Sequence, residues 1–246
     1  MSAYGTLKNI FKVIYAPHKA FKEIIQNPKY IGPVLVMTLF IVANVGFIYA
    51  LVSKTYIEQT LPAAEELDKW TENSTLWMGS SGVTISDNYD DYINGTYYGN
   101  RSIEFSMVDS AQISMQLNDI GSVNCSGPDG YKNLSLRIKA TSPEVKPENV
   151  TIYLFSTNSS DYFYYNLTNF SDFTYNRWNN LTVPLETGWL RNSAYADWGN
   201  ITGLKLEFTW LESSNISLLV DGLFFGGAFE SPIEANLANY LLNFSL

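Results

Sequence analysis

The chain has 246 residues and a formal net charge of −9, with aromatic side chains making up 15%. That balance excludes a nucleic-acid partner, which needs clustered Lys and Arg. A single cysteine, Cys125, and a single histidine, His18, leave the sequence beyond the first twenty residues without the groups for a Ser/His/Asp or Cys/His catalytic set, a Cys/His zinc site or an intrachain disulfide.

Residues 1–30 carry Lys8, Lys12, Lys19, Lys22 and Lys29 against Glu23 alone. Leu7, Ile10, Phe11 and Ile14 fall on one helical stripe, and Pro17 ends it. The spacing predicts a cytoplasmic amphipathic segment lying on the inner leaflet, its lysines among anionic headgroups. The same stripe would also serve packing against partner helices. His18 reads as a solvated interface residue.

Residues 31–52 form one uncharged apolar run, long enough at about 1.5 Å per residue to cross a core of about 30 Å. The expectation is an uncleaved transmembrane helix, with a cleaved signal or a buried core helix as the rival readings. The lysine excess before it sets the N-terminus on the cytoplasmic side. Ala16-Pro17-His18-Lys19-Ala20-Phe21-Lys22-Glu23-Ile24-Ile25, then Asn27-Pro28 and Tyr30-Ile31-Gly32-Pro33 leading into the run, resemble the N-terminal region of prokaryotic Yip1-type membrane proteins. That resemblance implies an integral membrane protein with several spans, and other membrane-protein subunits as partners. The single span and the large segment after it depart from the pattern. The tail, residues 228–246, turns apolar and is expected to lead towards a further span.

Residues 53–80 are expected to be a stalk helix and linker. Thr60 would cap a helix opened by Leu61-Pro62 with Glu65 and Glu66 in its first turn, ending near Trp70.

From residue 81 to 227 the hydrophobic period becomes two. Ile103/Phe105/Met107, Ile113/Met115/Leu117 and Leu134/Leu136/Ile138 alternate with polar residues, and further strands fall at 150–155, 162–167, 180–185, 204–210 and 216–220. About nine short strands predict an antiparallel β-sandwich. The fold class is therefore membrane-anchored all-β: one transmembrane helix plus a sandwich ectodomain.

All thirteen Asn-x-Ser/Thr sequons follow the apolar run: Asn73, Asn94, Asn100, Asn124, Asn133, Asn149, Asn158, Asn166, Asn169, Asn180, Asn200, Asn215 and Asn243. N-glycans are attached outside the cytosol on exposed surface, so residues beyond Val52 are expected to be extracytoplasmic, at the cell membrane. In sequons such as Asn133-Leu134-Ser135 and Asn149-Val150-Thr151 the apolar middle residue can point inward while Asn faces water.

Gly99-Asn100-Arg101-Ser102-Ile103-Glu104-Phe105, Tyr131 to Ile138, Asp197-Trp198-Gly199-Asn200-Ile201-Thr202-Gly203-Leu204 and Val220-Asp221-Gly222-Leu223-Phe224-Phe225 resemble a galactose-binding-like jelly roll of the carbohydrate-binding-module type. The resemblance implies a structural calcium between the first and last strands, with Asp221 as the matching carboxylate and a companion from Asp87 to Asp91. Asp221 as a turn residue bonding its own backbone is the competing reading. Aromatic residues are dense between 162 and 198, and Trp189, Tyr195 and Trp198 are the candidate carbohydrate-binding set. Asp87, Asp90, Asp91, Glu104 and Glu207 could pair for glycoside hydrolysis, but their sequence spacing fixes no catalytic separation.

These features together predict a non-enzymic, N-glycosylated surface protein, archaeal in character, whose ectodomain serves interaction or structural support. A carbohydrate-binding receptor and an accessory subunit of a membrane complex are the alternatives. The lipid bilayer and cell-surface glycans are the other expected partners.

Overall fold

The computed structural model describes residues 15, 16, 18, 19, 22, 31–52, 56–168 and 173–230, and divides into two units, one from residues 1–55 with 231–246 and one from Tyr56–Glu230. The amphipathic stripe at residues 7–14, Asn169, Asn243 and residues 231–246 of the apolar tail lie outside the described residues.

In the first unit, α1 (Ile31–Val52) is a 22-residue helix without an acidic first turn or a basic last turn. Its side chains are described from Val34 to Ala50, and nearly all are exposed, on every side of the helix. Phe40, Phe47 and Tyr49 are 69%, 64% and 75% exposed. The two polar side chains turn back on the helix itself: Thr38 Oγ1 donates to Val34 O and Asn44 Nδ2 to Phe40 O, both at 2.8 Å. Among the described residues no helix is long and apolar enough to cross a membrane.

The second unit is a two-layer sandwich made of ten antiparallel strands. They are β1 (Tyr56–Leu61), β2 (Trp77–Gly79), β3 (Thr84–Asn88), β4 (Ser102–Val123), β5 (Asn133–Ser142), β6 (Asn149–Ser156), β7 (Asn158–Thr168), β8 (Asn179–Pro184), β9 (Leu190–Arg191) and β10 (Ile201–Glu230). β4 and β10 run antiparallel from Ile201↔Val123 to Val220↔Ile103 and belong to both layers. Their first shared stretch carries β2 on one side, and β6, β7 and β9 on the other. Their second carries β3 on one side, and β5 and β8 on the other. The two strands pass between layers where the register slips around Ser110 and Ser214. There Asp109 adopts φ 49°, and its N–H donates to Asn215 Oδ1 at 3.3 Å. An unpaired residue in a ladder bends and twists the strand, which is why pairs of short strands expected from the sequence are continuous.

Alternation supplies the core. Ile113, Met115 and Leu117 of β4, Leu204, Leu206 and Phe208 of β10 and Val150, Ile152 and Leu154 of β6 face Ile103, Phe105, Leu134, Leu136, Ile138, Leu218 and Val220 in one buried cluster. At about 25 cal/mol per Å² of apolar surface removed from water, this cluster is the main force holding the layers together.

Residues 56–80 correct the expectation of a stalk helix. Residues 56–61 pair with residues 225–230 of β10 as β1. The helix signals at Leu61-Pro62-Ala63 yield a single 3₁₀ turn, Ala64–Glu66, and a second forms at Ser74–Leu76. Burial outweighs local propensity here. Trp70 and Trp77 are each 4% exposed, set edge-on to Phe225 and Phe105, and the Trp77 indole N–H donates to Trp70 O at 2.8 Å. The sandwich therefore begins at residue 56, not 81, and runs to 230 rather than 227.

Candidate functional site

The outward face of the β6–β7 layer carries a row of aromatic side chains. Along β6 Val150, Ile152 and Leu154 point inward, so Thr151, Tyr153 and Phe155 lie on the other face, where Tyr153 is half-buried and Thr151 and Phe155 are buried. Along β7 Phe163 is buried, and Tyr162, Tyr164 and Asn166 share the opposite face. The register then aligns Gln116, Lys205, Tyr153 and Tyr164 across four strands, with Ser114, Glu207, Thr151 and Asn166 in the next row. Tyr153 lies 5.6 Å from Tyr162 and 6.3 Å from Tyr164 between ring centroids, and Phe155 lies 6.1 Å from Tyr162. Lys205 Nζ sits 4.5 Å above the Tyr153 ring and 2.9 Å from Glu207. The Tyr153 hydroxyl donates to Glu207 Oε1 at 3.4 Å. Burial, then the Glu207 charge, pushes the Tyr153 hydroxyl above its usual range, so it remains a neutral donor. Half-buried tyrosine rings bordered by hydroxyl, amide, ammonium and carboxylate groups suit a ligand with alternating C–H faces and hydroxyls.

The aromatic residues singled out from the sequence fall elsewhere. Trp198 stacks on Phe163 at 4.0 Å and meets Trp189 edge-on at 5.5 Å. Both indoles pack against the core as partly buried residues, and Trp189 Nε1 donates to Pro184 O at 2.8 Å. Tyr195 alone is exposed, at 84%. The three form no common surface plate. Tyr153, Tyr162 and Tyr164 were discernible only from parity: in a strand, residues 162 and 164 face opposite to 163 and 165.

Of the sequon asparagines within the described residues, Asn73, Asn94, Asn100, Asn124, Asn133, Asn158, Asn166, Asn180 and Asn215 are exposed, and Asn149 and Asn200 are half-buried. Thr75, Ser126 and Ser160 hydroxyls donate to the Oδ1 of their own sequon asparagine at 2.7, 2.9 and 2.6 Å.

Under the opposite layer Asp68, Glu72 and Asp221 each place a carboxylate oxygen within 4.8 Å of the others. Asp221 leads into Gly222, whose φ of +56° and closeness to Tyr98, 2.5 Å from where a Cβ would stand, require glycine. The Gly222 N–H reaches Asp221 Oδ1 at 2.7 Å and Asp68 Oδ2 at 3.2 Å. Ile93 N donates to Asp221 Oδ2 and Gly99 N to Asp68 Oδ1, both at 2.7 Å. Burial, then the adjoining Asp68 carboxyl, pushes Asp221 up to about 8. Among the described residues no cationic side chain bonds either buried aspartate, whereas Glu72 lies 3.5 Å from Arg101 Nε. Three carboxylates this close together offer hard oxygen donors of the kind calcium takes. The companions of Asp221 are thus Asp68 and Glu72, not a residue from 87 to 91. Asp87 accepts from Ser74 N at 2.8 Å and meets Arg101 at 3.5 Å, while Asp91 pairs with Lys139. The turn reading of Asp221 also has a basis, in its bond to the Gly222 N–H. Glu104 accepts from Asn88 and Ser217. Cys125 is fully buried, and burial raises its thiol to about 12, which leaves it inert as a nucleophile.

Comparison with protein-family models and with curated proteins gives no match. Solved structures similar in fold include a family 11 carbohydrate-binding module from Clostridium thermocellum in complex with a β-1,3-1,4-mixed-linked tetrasaccharide, 17% identical over 71% of this chain and 98% of that one, with a TM-score of 0.42. A family 30 module of a cellulosomal cellulase from Clostridium thermocellum is 10% identical over 62% and 91%, with a TM-score of 0.45. An exo-β-agarase is 8% identical over 63% of this chain and 24% of that one, with a TM-score of 0.46. At such values the sandwich assignment rests on the strand register of this chain itself.

Proposed function

We propose that this chain is a membrane-anchored, N-glycosylated surface protein whose sandwich binds carbohydrate, without catalysis, on the face formed by Tyr153, Tyr162 and Tyr164. The observation that carries the reading is that aromatic row, bordered by Lys205, Glu207 and Gln116. Sugar rings would stack on the tyrosines while their hydroxyls meet the flanking polar groups. α1 serves as the anchor: an uncharged helix exposing Phe, Val, Ile and Leu all round is favoured in lipid rather than in water. Residues beyond it lie on the extracytoplasmic side, where sequons are used. A calcium ion held by Asp68, Glu72 and Asp221 would neutralise the buried carboxylates and tie residues 68–72 to β10.

The test uses the full chain in a detergent without a sugar headgroup, titrated calorimetrically with soluble β-glucans and screened on a glycan array. Binding of at least one carbohydrate is expected, and Tyr153→Ala combined with Tyr164→Ala should weaken it at least tenfold, or about 1.4 kcal/mol. Absence of binding across the array would defeat the reading.

A further inference from the structure

Asn166 occupies the same outward face as the tyrosine row. It stands two residues after Tyr164 on β7, about 7 Å along the strand, and pairs across the ladder with Thr151, the neighbour of Tyr153 by the same two-residue step. Thr151 Oγ1 donates to Asn166 Oδ1 at 3.0 Å, which fixes the amide with its oxygen towards β6. Asn166 is exposed, and among the described residues its Nδ2, the atom that carries an N-glycan, makes no hydrogen bond. Asn149, a second sequon asparagine beside Thr151, is half-buried and uses Nδ2 to donate to Thr151 Oγ1 at 3.1 Å. The three side chains form a relay, Asn149 to Thr151 to Asn166, that commits one amide and leaves the other available.

We propose that an N-glycan on Asn166 folds back over Tyr164 and Tyr153 and occupies the tyrosine face, so that the chain's own sugar competes with external carbohydrate. The inference rests on the carbohydrate-binding reading of that face and adds its regulation. A pyranose linked to Asn166 Nδ2 needs to span only the two-residue step to Tyr164, and further rings reach Tyr153 and Lys205. Tethering matters as much as contact, because a short flexible link gives an effective concentration in the millimolar range. A weak single-sugar site would therefore be filled by its own glycan unless a multivalent polysaccharide displaced it.

The experiment compares the full chain with Asn166→Gln and Thr168→Ala, both made in a host that attaches N-glycans, each with and without Tyr164→Ala. Thr168→Ala removes the sequon while leaving Asn166 in place, and Asn180→Gln removes a glycan elsewhere as the control. Peptide mass spectrometry is expected to find Asn166 occupied. Loss of that glycan should lower Tm by about 3 °C when Tyr164 is present and by less than about 1 °C in the Tyr164→Ala background. Both sequon variants should bind external polysaccharide at least about fivefold more tightly than the glycosylated chain, the tethered competitor being gone. A bare Asn166, or a glycan whose removal affects Tm equally in both backgrounds, overturns the inference. Coupling to Tyr164 without polysaccharide binding in any variant would instead overturn the carbohydrate-receptor reading and leave the self-glycan contact standing.

Discussion

On the layer containing β6 and β7, the outward Tyr153, Tyr162 and Tyr164 remain half-exposed, whereas on the layer containing β5 the outward Leu219 and Asp221 of β10 are only 2% and 1% exposed. Residues 88–101 account for the difference. They cross the second face and are fastened to it by the Ile93 N–H on Asp221, Tyr98 edge-on to Phe224 and the Asp91–Lys139 ion pair, with Trp178 Nε1 donating to Asp91 at 3.1 Å. Both faces follow the same pleat. One is covered by the chain's own polar network, and the other leaves its three tyrosine rings half-exposed.

That contrast can be broken most strongly at Gly222. Gly222→Ala places a Cβ on the Tyr98 ring at a φ of +56°, and should cost about 2 kcal/mol through left-handed strain and displaced packing. Denaturant unfolding should register the loss while carbohydrate binding on the opposite face stays unchanged. Equal damage to both faces would mean that they are not independent.

The charge on the covered face gives a second test. Asp221 titrates near 8 in the folded protein, well above the ordinary carboxylate value of about 3.9. Between those values the folded state therefore holds a proton that the unfolded state has released. In chelator-treated protein this contribution is complete below about pH 4, is lost as pH rises through about 8, and is flat beyond. Thermal unfolding across that range should show the decline, and Asp221→Asn should remove it. Calcium reverses the preference by favouring ionised carboxylates, so millimolar calcium at pH 8 should raise Tm by several degrees, on the order of the gain for a ligand well above its Kd. No shift with calcium would return Asp221 to a purely structural turn role.

The smallest expected effect is the most discriminating for the open face. Tyr195→Ala should change stability by less than about 0.5 kcal/mol and leave carbohydrate affinity intact, because Tyr195 stands apart from the row. A large loss of binding would move the site to the Trp189–Trp198 end.

Much of the architecture was legible residue by residue. The alternating stretches named from the sequence, from Ile103–Met107 to Ile216–Val220, fall in strands, except that the one expected at 180–185 runs one residue past β8, which ends at Pro184. The position of Trp198 was readable as a motif, but not its stacking on Phe163. The β1 segment was misread because Leu61-Pro62 with Glu65 and Glu66 carries real helix-start chemistry; only the pairing with residues 225–230, far away in sequence, overrides it. Asp68 and Glu72 escaped notice for the same reason, since 149 to 153 positions separate them from Asp221 and no local spacing reports such a meeting.

Sequence by itself determined what is local and periodic: the uncharged run that becomes α1, the two-residue alternation that becomes strands, and the sequons whose apolar middle residues turn the asparagines outward. Tertiary structure decided which of two chemically similar faces stays open, which aromatic residues share a plate, and which carboxylates meet. Those outcomes depend on register between distant strands and on where one loop comes to rest, and a pleat repeating every two residues is blind to both.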